Sequence, residues 1–263
     1  GSFLENNKLR KSVSLTLREI SDIERISSKV AHKRVMPKEL NSLKNSLVNV
    51  GEIKLQIKHM GSKDLKDWAL EIKPFGNIIQ FIDDSINIEA PTSLSSGNVI
   101  KEKFNEELDE LRNIASSGKQ ILLEIQRNEI KKTKISSLKV AYNKVFGYYL
   151  EVTNAHKDKV PKSWIRKQTL VGSERYITEE LKQHEEKILN AEEKILYLEN
   201  KLYEEVIETL SKEINVLQEV SVSIAFIDCI ISFANLASSS NFSKPEINDS
   251  NVIDIKKGRH LII

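Results

Sequence analysis

The residues with the clearest chemical potential in this 263-residue chain surround one glycine, in the stretch "RKQTLVGSERY". Its cationic side chains suit phosphate groups, and its neutral side chains and glycine backbone supply hydrogen-bond donors. Donors of this kind hold a phosphate backbone in register without reading bases. The stretch therefore predicts contact with a polyanion. Its candidate residues are Arg166, Lys167, Gln168, Thr169, Gly172, Ser173 and Arg175.

Charge is divided unevenly around this stretch. Residues 138–178 carry eight Lys or Arg against three Asp or Glu, a net charge of +5. Residues 179–219 carry five Lys against twelve acidic residues, a net charge of −7. The basic segment is thus the part predicted to meet a polyanion. A solvated face of a small sheet would have a similar composition, and charge alone leaves both interpretations open.

The elements that must position these residues are extended strands. Apolar residues alternate with polar ones from Leu138 to Val152 on both sides of a connection that contains Gly147, which is a hairpin pattern. A second pair of short extended segments surrounds Val171 and Gly172. Together they predict a four-stranded antiparallel sheet.

Helical patterns occupy most of the remaining chain. One apolar stripe runs from Leu17 to Val30, and a further helix is expected to begin at Pro37. Two heptad series follow, at Phe104, Leu111, Gly118 and Ile125, and at Leu181, Ile188, Ile195 and Leu202. The predicted fold class is mainly α, with a helical core and two long antiparallel helices that carry the inserted β domain. We expect the insert, residues 135–178, at the far tip of that helical pair.

Several function classes are disfavoured by composition and motifs. The single cysteine, Cys229, excludes an intramolecular disulfide and is expected to be a buried spectator. The five histidines show no metal-ligand spacing, and "HEEKI" at His184 lacks the second histidine of a zinc-protease motif. No GxxxxGK[ST] loop, signal peptide or long apolar run is found. We therefore expect no catalytic, cofactor or metal site, and no membrane partner. The abrupt ends suggest part of a longer protein.

Four segments closely resemble the MutS family of DNA mismatch-recognition proteins. These are "LREISDIERISSKVAHKRVMPKEL", "LKVAYNKVFGYYLEVTNAH", "VPKSWIRKQTLVGSERYITEELKQHEEKILNAEEKILYLE" and the closing "IKKGRH". The resemblance implies that residues 1–134 form the core and first lever helix, and residues 135–178 a β clamp. Residues 179–240 would be the second lever helix, and residues 241–263 a linker and first strand leading to an absent ATPase domain.

The resemblance also implies a role for the clamp, which in this family closes over duplex DNA and touches backbone phosphates. It assigns that contact to Arg166, Lys167, Gln168, Thr169, Gly172 and Arg175. Family members often have a lysine where Val171 stands in this chain.

Cofactors and partners follow from the same resemblance. ATP and magnesium would belong to the full-length protein, since this chain lacks the phosphate-binding loop. That protein is expected to be a cytoplasmic, nucleoid-associated bacterial homodimer that binds a MutL-type partner, whereas this chain alone is expected to be a monomer. An alternative is a structural coiled-coil arm whose tip docks a protein or an RNA. Tyr142, Tyr148 and Tyr149 are interpreted as packing residues rather than base-stacking ones.

Overall fold

The computed structural model describes residues 2–58, 62–143, 145, 147–256 and 258. The chain is mainly helical with a small antiparallel sheet, as the sequence predicts. It divides into two compact units, one formed by Gly1–Thr92 and Glu205–Ile263, the other by Ser93–Glu204. Its helices are α1 (Ser2–Glu5), α2 (Asn7–Arg18), α3 (Ile23–Ala31), α4 (Pro37–Lys58), α5 (Lys63–Glu71), α6 (Gly76–Ser85), α7 (Glu106–Thr133), α8 (Glu179–Ser211) and α9 (Ile214–Ser240).

Helix α4 is the centre of the first unit. It begins at Pro37 as predicted, and it packs against α2, α3, α5 and α6. Apolar residues that recur at every third or fourth position of this helix are fully buried: Leu40, Leu43, Leu47, Val50, Ile53 and Ile57. On its polar side Lys44 forms an ion pair with Asp83 of α6, with 2.7 Å between Nζ and Oδ1. The unit is therefore held mainly by apolar burial around one helix.

The apolar stripe that the sequence predicts from Leu17 to Val30 is interrupted. Helix α2 ends at Arg18, and α3 begins at Ile23. Asp22 starts the second helix by accepting a hydrogen bond from the Arg25 N–H at 2.8 Å. A short aspartate side chain satisfies the free N–H groups of a first helical turn, so it favours a helix start over a continuous helix.

Helix α9 is apolar on nearly all sides. Its buried stripe includes Leu217, Ile224 and Ile231, and the helix packs against α1, α2 and α3. Cys229 lies on the exposed side, so the expectation of a buried thiol is wrong. By length and composition α9 could span a membrane, since an 18-residue stretch of it has a mean hydropathy of 1.9. Core helices pass the same test, and polar residues such as Asp228 interrupt the apolar sequence of α9.

The second unit contains the sheet, formed by β1 (Lys139–Asn143), β2 (Gly147–Thr153), β3 (Ile165–Thr169) and β4 (Ser173–Ile177). The strand order is β1-β2-β4-β3, and every neighbouring pair is antiparallel. A short 3₁₀ helix, Asn154–Lys159, connects β2 to the second hairpin. Both predicted hairpins are confirmed. Lys144 and Phe146 of the first connection lie outside the described residues.

One face of the sheet packs on α7 and α8. Leu150, Val152 and Tyr176 share a buried cluster with Leu122 of α7 and Ile188 of α8. The period-two pattern of β2 therefore places its apolar face against the heptad faces of two helices. At the other side of the unit, Val171 and Gly172 in the turn between β3 and β4 are exposed to solvent.

Helices α7 and α8 run antiparallel within this unit. Arg112 forms an ion pair with Glu199, with 2.6 Å between Nη2 and Oε1, and Lys119 pairs with Glu192 at 2.8 Å. Residues later in α7 thus pair with residues earlier in α8, so the two helices run in opposite directions. The hydrogen bond to Glu192 raises the pKa of Lys119 above its ordinary value.

The segment after α9 has no regular structure where it is described. Residues 242–256 form neither helix nor strand. The predicted linker and strand at residues 241–263 extend beyond them, and Lys257 and residues 259–263 lie outside the described part of the chain.

Candidate nucleic-acid interface

The β3–β4 hairpin presents the predicted contact stretch on a tight turn. The Leu170 N–H donates to the Ser173 carbonyl at 2.8 Å and closes the turn. Val171 is fully exposed at its tip, and no atom lies within 4 Å of where a Cβ of Gly172 would be. A flat surface such as a nucleic-acid backbone can therefore approach the turn without obstruction.

Lys167 occupies a bulge in β3. Arg166 is opposite Tyr176 and Gln168 is opposite Arg175, so the register shifts across Lys167, which has no partner residue on β4. A bulge re-aims the extra side chain and increases local twist. Lys167 and Thr169 are exposed to solvent.

Arg166 also reaches solvent, although it has a partner. Its Nη1 lies 3.4 Å from Oε1 of Glu174, and 61% of its side chain is exposed. Exposed ion pairs contribute little to stability, so this one leaves the guanidinium available to an incoming phosphate.

Arg175, in contrast, is engaged inside the sheet. Its Nε lies 3.2 Å from Oε2 of Glu151, and its Nη1 donates to Oε1 of Gln168 at 2.8 Å. Its guanidinium carbon stands 4.3 Å from the centre of the Tyr149 ring, a cation–π contact. Ser173 is buried. The structure thus exposes Arg166, Lys167, Thr169 and Gly172, whereas Gln168, Ser173 and Arg175 support the sheet.

Asn154 is a residue of this site that sequence reasoning missed. Its backbone N–H donates to the Gly172 carbonyl at 3.1 Å, and its Nδ2 donates to the Val171 carbonyl at 2.9 Å. These two bonds hold the β3–β4 turn against the end of β2. The only signal in the sequence is an asparagine after a predicted strand, a common feature of turns.

The inner face of the hairpin is built for rigidity. Tyr176 donates a hydrogen bond to Glu174 and packs edge-on against Trp164, with ring centres 5.8 Å apart. Burial, together with this hydrogen bond, raises the pKa of Tyr176 to about 12. The shift extends to more alkaline pH the range in which the phenol stays protonated and acts as a donor.

Further exposed cations lie elsewhere in the same unit. They are found on β1 at the opposite edge of the sheet, on the 3₁₀ helix that contacts β2 and β4, and on the following loop: Lys139, Lys157, Lys159 and Lys162. Among the described residues, no group of three or more His, Cys, Asp or Glu is arranged to hold a metal ion. The exposed side chains of this site supply positive charge and hydrogen-bond donors.

The three tyrosines of the first hairpin differ in exposure. Tyr149 is buried beneath Arg175. Tyr142 is partly exposed and packs on Tyr148, with ring centres 4.9 Å apart. These contacts favour packing over base stacking.

Comparison with known proteins identifies the family to which this chain is similar. The model of MutS family domain IV matches residues 103–194, which include the sheet, all of α7 and the first half of α8. The chain is also 48% identical to DNA mismatch repair protein MutS of Bacteroides fragilis over 99% of its own length.

The chain belongs to the MutS family. The MutS proteins of Bacteroides thetaiotaomicron and Christiangramia forsetii are 47% and 46% identical to it, each over 99% of the chain. The chain spans about 30% of the length of these curated MutS relatives.

Proposed function

We propose that this chain acts in DNA mismatch repair by holding the backbone of duplex DNA with its β3–β4 hairpin. The relatives, each named a DNA mismatch repair protein, support the process. The observation that carries the mechanism is the exposed pair of cations, Arg166 and Lys167, beside an open turn. Cationic groups of this kind bind phosphates, and the amide of Gln168, a side-chain type that can read a base edge, is instead engaged with Arg175.

The mechanical part of the proposal concerns α7 and α8. In the full-length protein they would act as levers that link this clamp to an ATPase domain outside the chain. That domain would hold ATP and magnesium, and the full-length protein would be a homodimer that binds a MutL-type partner near the bacterial nucleoid. The chain itself lacks a GxxxxGK[ST] loop, so we expect no phosphate release from ATP in its presence.

A double substitution tests the contact. Arg166→Ala combined with Lys167→Ala should weaken homoduplex binding and flatten the salt dependence. Each phosphate that is no longer neutralised removes about 0.9 from the slope of log affinity against log salt, so the slope should fall by up to about 1.8. Fluorescence anisotropy of a labelled duplex at a series of salt concentrations measures both quantities.

Lys187→Ala combined with Lys194→Ala is the matched control. These two lysines on α8 lie outside the hairpin, and removing them makes the same change in net charge. The control should leave the slope nearly unchanged. An equal effect of both double variants, or no effect of either, would contradict a specific contact through Arg166 and Lys167 and would favour a docking arm for protein or RNA.

A further inference from the structure

The polar residues that face each other along α7 and α8 recur at seven-residue intervals. Arg112 meets Glu199, and one heptad further along α7 and back along α8, Lys119 meets Glu192. A further step of seven in each helix leads to Gln126 and Glu185. Because heptad steps keep the same face of a coiled coil toward its partner, these residues occupy the third position of one ladder.

The third position does not form an ion pair, since Gln126 is uncharged. Its two side chains instead turn to the sheet. Gln126 Oε1 accepts a hydrogen bond from the Val140 N–H at 2.8 Å, and Glu185 Oε1 accepts one from the Tyr148 N–H at 2.8 Å. One acceptor from each helix therefore holds one strand of the β1–β2 hairpin.

Both N–H groups lie where the sheet itself offers no acceptor. Val140 is on β1, an edge strand that pairs with β2 and with no other strand of the described residues. Tyr148 precedes Leu150, the residue at which pairing of β2 with β4 begins. Partly buried N–H groups without acceptors are costly, and free strand edges invite incorrect pairing. Gln126 and Glu185 remove both problems.

The hairpin is also shaped to admit the carboxylate. Gly147 has φ +75°, a backbone conformation that residues with a side chain rarely adopt. A Cβ at this position would also collide with the Glu185 carboxylate. The glycine next to Tyr148 thus serves two requirements, the turn and the close approach of Glu185. This close approach involves the same carboxylate and agrees with the hydrogen bond that Glu185 accepts from the Tyr148 N–H.

We propose that Gln126 and Glu185 are positioning residues that fix the orientation of the sheet on α7 and α8. The ladder uses its first two steps to pair the helices and its third to attach the sheet. The orientation fixed in this way is that of the β3–β4 hairpin, and its relevance to DNA rests on the proposed function.

Hydrogen exchange of individual amides, followed by NMR on the whole chain, tests the attachment. Glu185→Ala should accelerate exchange of the Tyr148 amide about tenfold relative to the Leu150 amide, which lies in the middle of the sheet. Glu185→Gln keeps an oxygen acceptor and should restore protection. Lys119→Gln, which removes an ion pair of the same ladder, should leave the ratio unchanged. Equal acceleration of both amides, or of neither, would overturn the attachment.

A second variant makes use of the ladder itself. Gln126→Lys supplies a cation opposite Glu185 and should convert the third position into an ion pair like the first two. The Val140 amide then loses its acceptor, and the Tyr148 amide loses the carboxylate that the new lysine attracts. Exchange of both amides should accelerate, whereas Gln126→Ala should affect Val140 alone. Protection of Tyr148 that survives Gln126→Lys would contradict the shared ladder.

DNA binding by the Glu185 variants tests the positioning role. Glu185→Ala and Glu185→Gln remove the same charge, so any difference between them reports the hydrogen bond. We expect weaker homoduplex binding for the alanine variant alone, with the salt slope of the unaltered chain. Faster exchange in Glu185→Ala together with equal DNA affinities of the two variants would overturn the positioning role. If the unaltered chain does not bind DNA, the proposed function is overturned, and the exchange experiment alone decides whether Glu185 attaches the sheet.

Discussion

Arg166 and Arg175 carry the same charge on neighbouring strands, yet their surroundings give them different roles. Arg166 is mostly exposed and has one weak ion pair, with Glu174. Arg175 is held by Glu151, Gln168 and the Tyr149 ring. A planar guanidinium suits such a fixed, stacked position, which a lysine would not fill equally well. At the residue scale, therefore, exposure separates a phosphate-binding cation from one that stiffens the sheet.

Val171 provides a gain-of-function prediction at the same scale. The side chain is fully exposed at the tip of the turn. Val171→Lys should raise affinity for homoduplex DNA and steepen the salt slope by about 0.9, because one more phosphate would be neutralised. Val171→Gln is a control of similar reach without charge. Anisotropy titrations should separate the two variants, and equal slopes would place the turn tip away from the backbone.

At the element scale, sequence periodicity predicts what depends on local pattern. The heptad series predicts α7 and α8, and the alternation of Leu138–Val152 predicts the first hairpin. Features that depend on three-dimensional register were not predictable. The bulge at Lys167 depends on how β3 pairs with β4, and the bonds from Asn154 depend on where the end of β2 meets the β3–β4 turn. The hydrogen bonds of Gln126 and Glu185 to strand amides require the relative placement of two helices and a sheet.

Gly118 also shows that sequence periodicity does not predict how two helices pack. In the heptad series it is a weak position, because a glycine contributes no apolar side chain. Helix α7 nevertheless continues through it, and a Cβ at this position would collide with the Ile188 side chain. Glycine is thus required by the close packing of α7 and α8, information that resides in the partner helix.

Gly118→Ala accordingly tests the packing of the two helices. Alanine gains about 1 kcal/mol in helix propensity, but crowding a packed interface costs about 1–3 kcal/mol, so we expect a net loss of unfolding free energy. Ile188→Ala removes the obstructing side chain and should itself be destabilising by about 2–5 kcal/mol. The double variant should be more stable than the sum of the single effects predicts. Urea denaturation of all four proteins measures this coupling, and strict additivity would contradict direct contact.

At the scale of the whole molecule, charge and fold act together. The segment at residues 138–178 carries a net charge of +5, and its sheet packs on α7, whose charges nearly balance, and on α8, which is rich in acidic residues. The acidic α8 disfavours binding of DNA along this helix and leaves the hairpin as the preferred contact. The chain as a whole is therefore expected to bind duplex DNA weakly and through few phosphates.

The most direct test of this account is a comparison of two labelled duplexes, one fully paired and one with a single mismatch, by anisotropy at a series of salt concentrations. Backbone contact predicts equal affinities for the two duplexes. The logarithm of the affinity should decrease linearly with the logarithm of the salt concentration, with a slope of about −1.8 or steeper if Arg166 and Lys167 each neutralise one phosphate. Tighter binding of the mismatched duplex, or no binding of either duplex at low salt, would contradict the account.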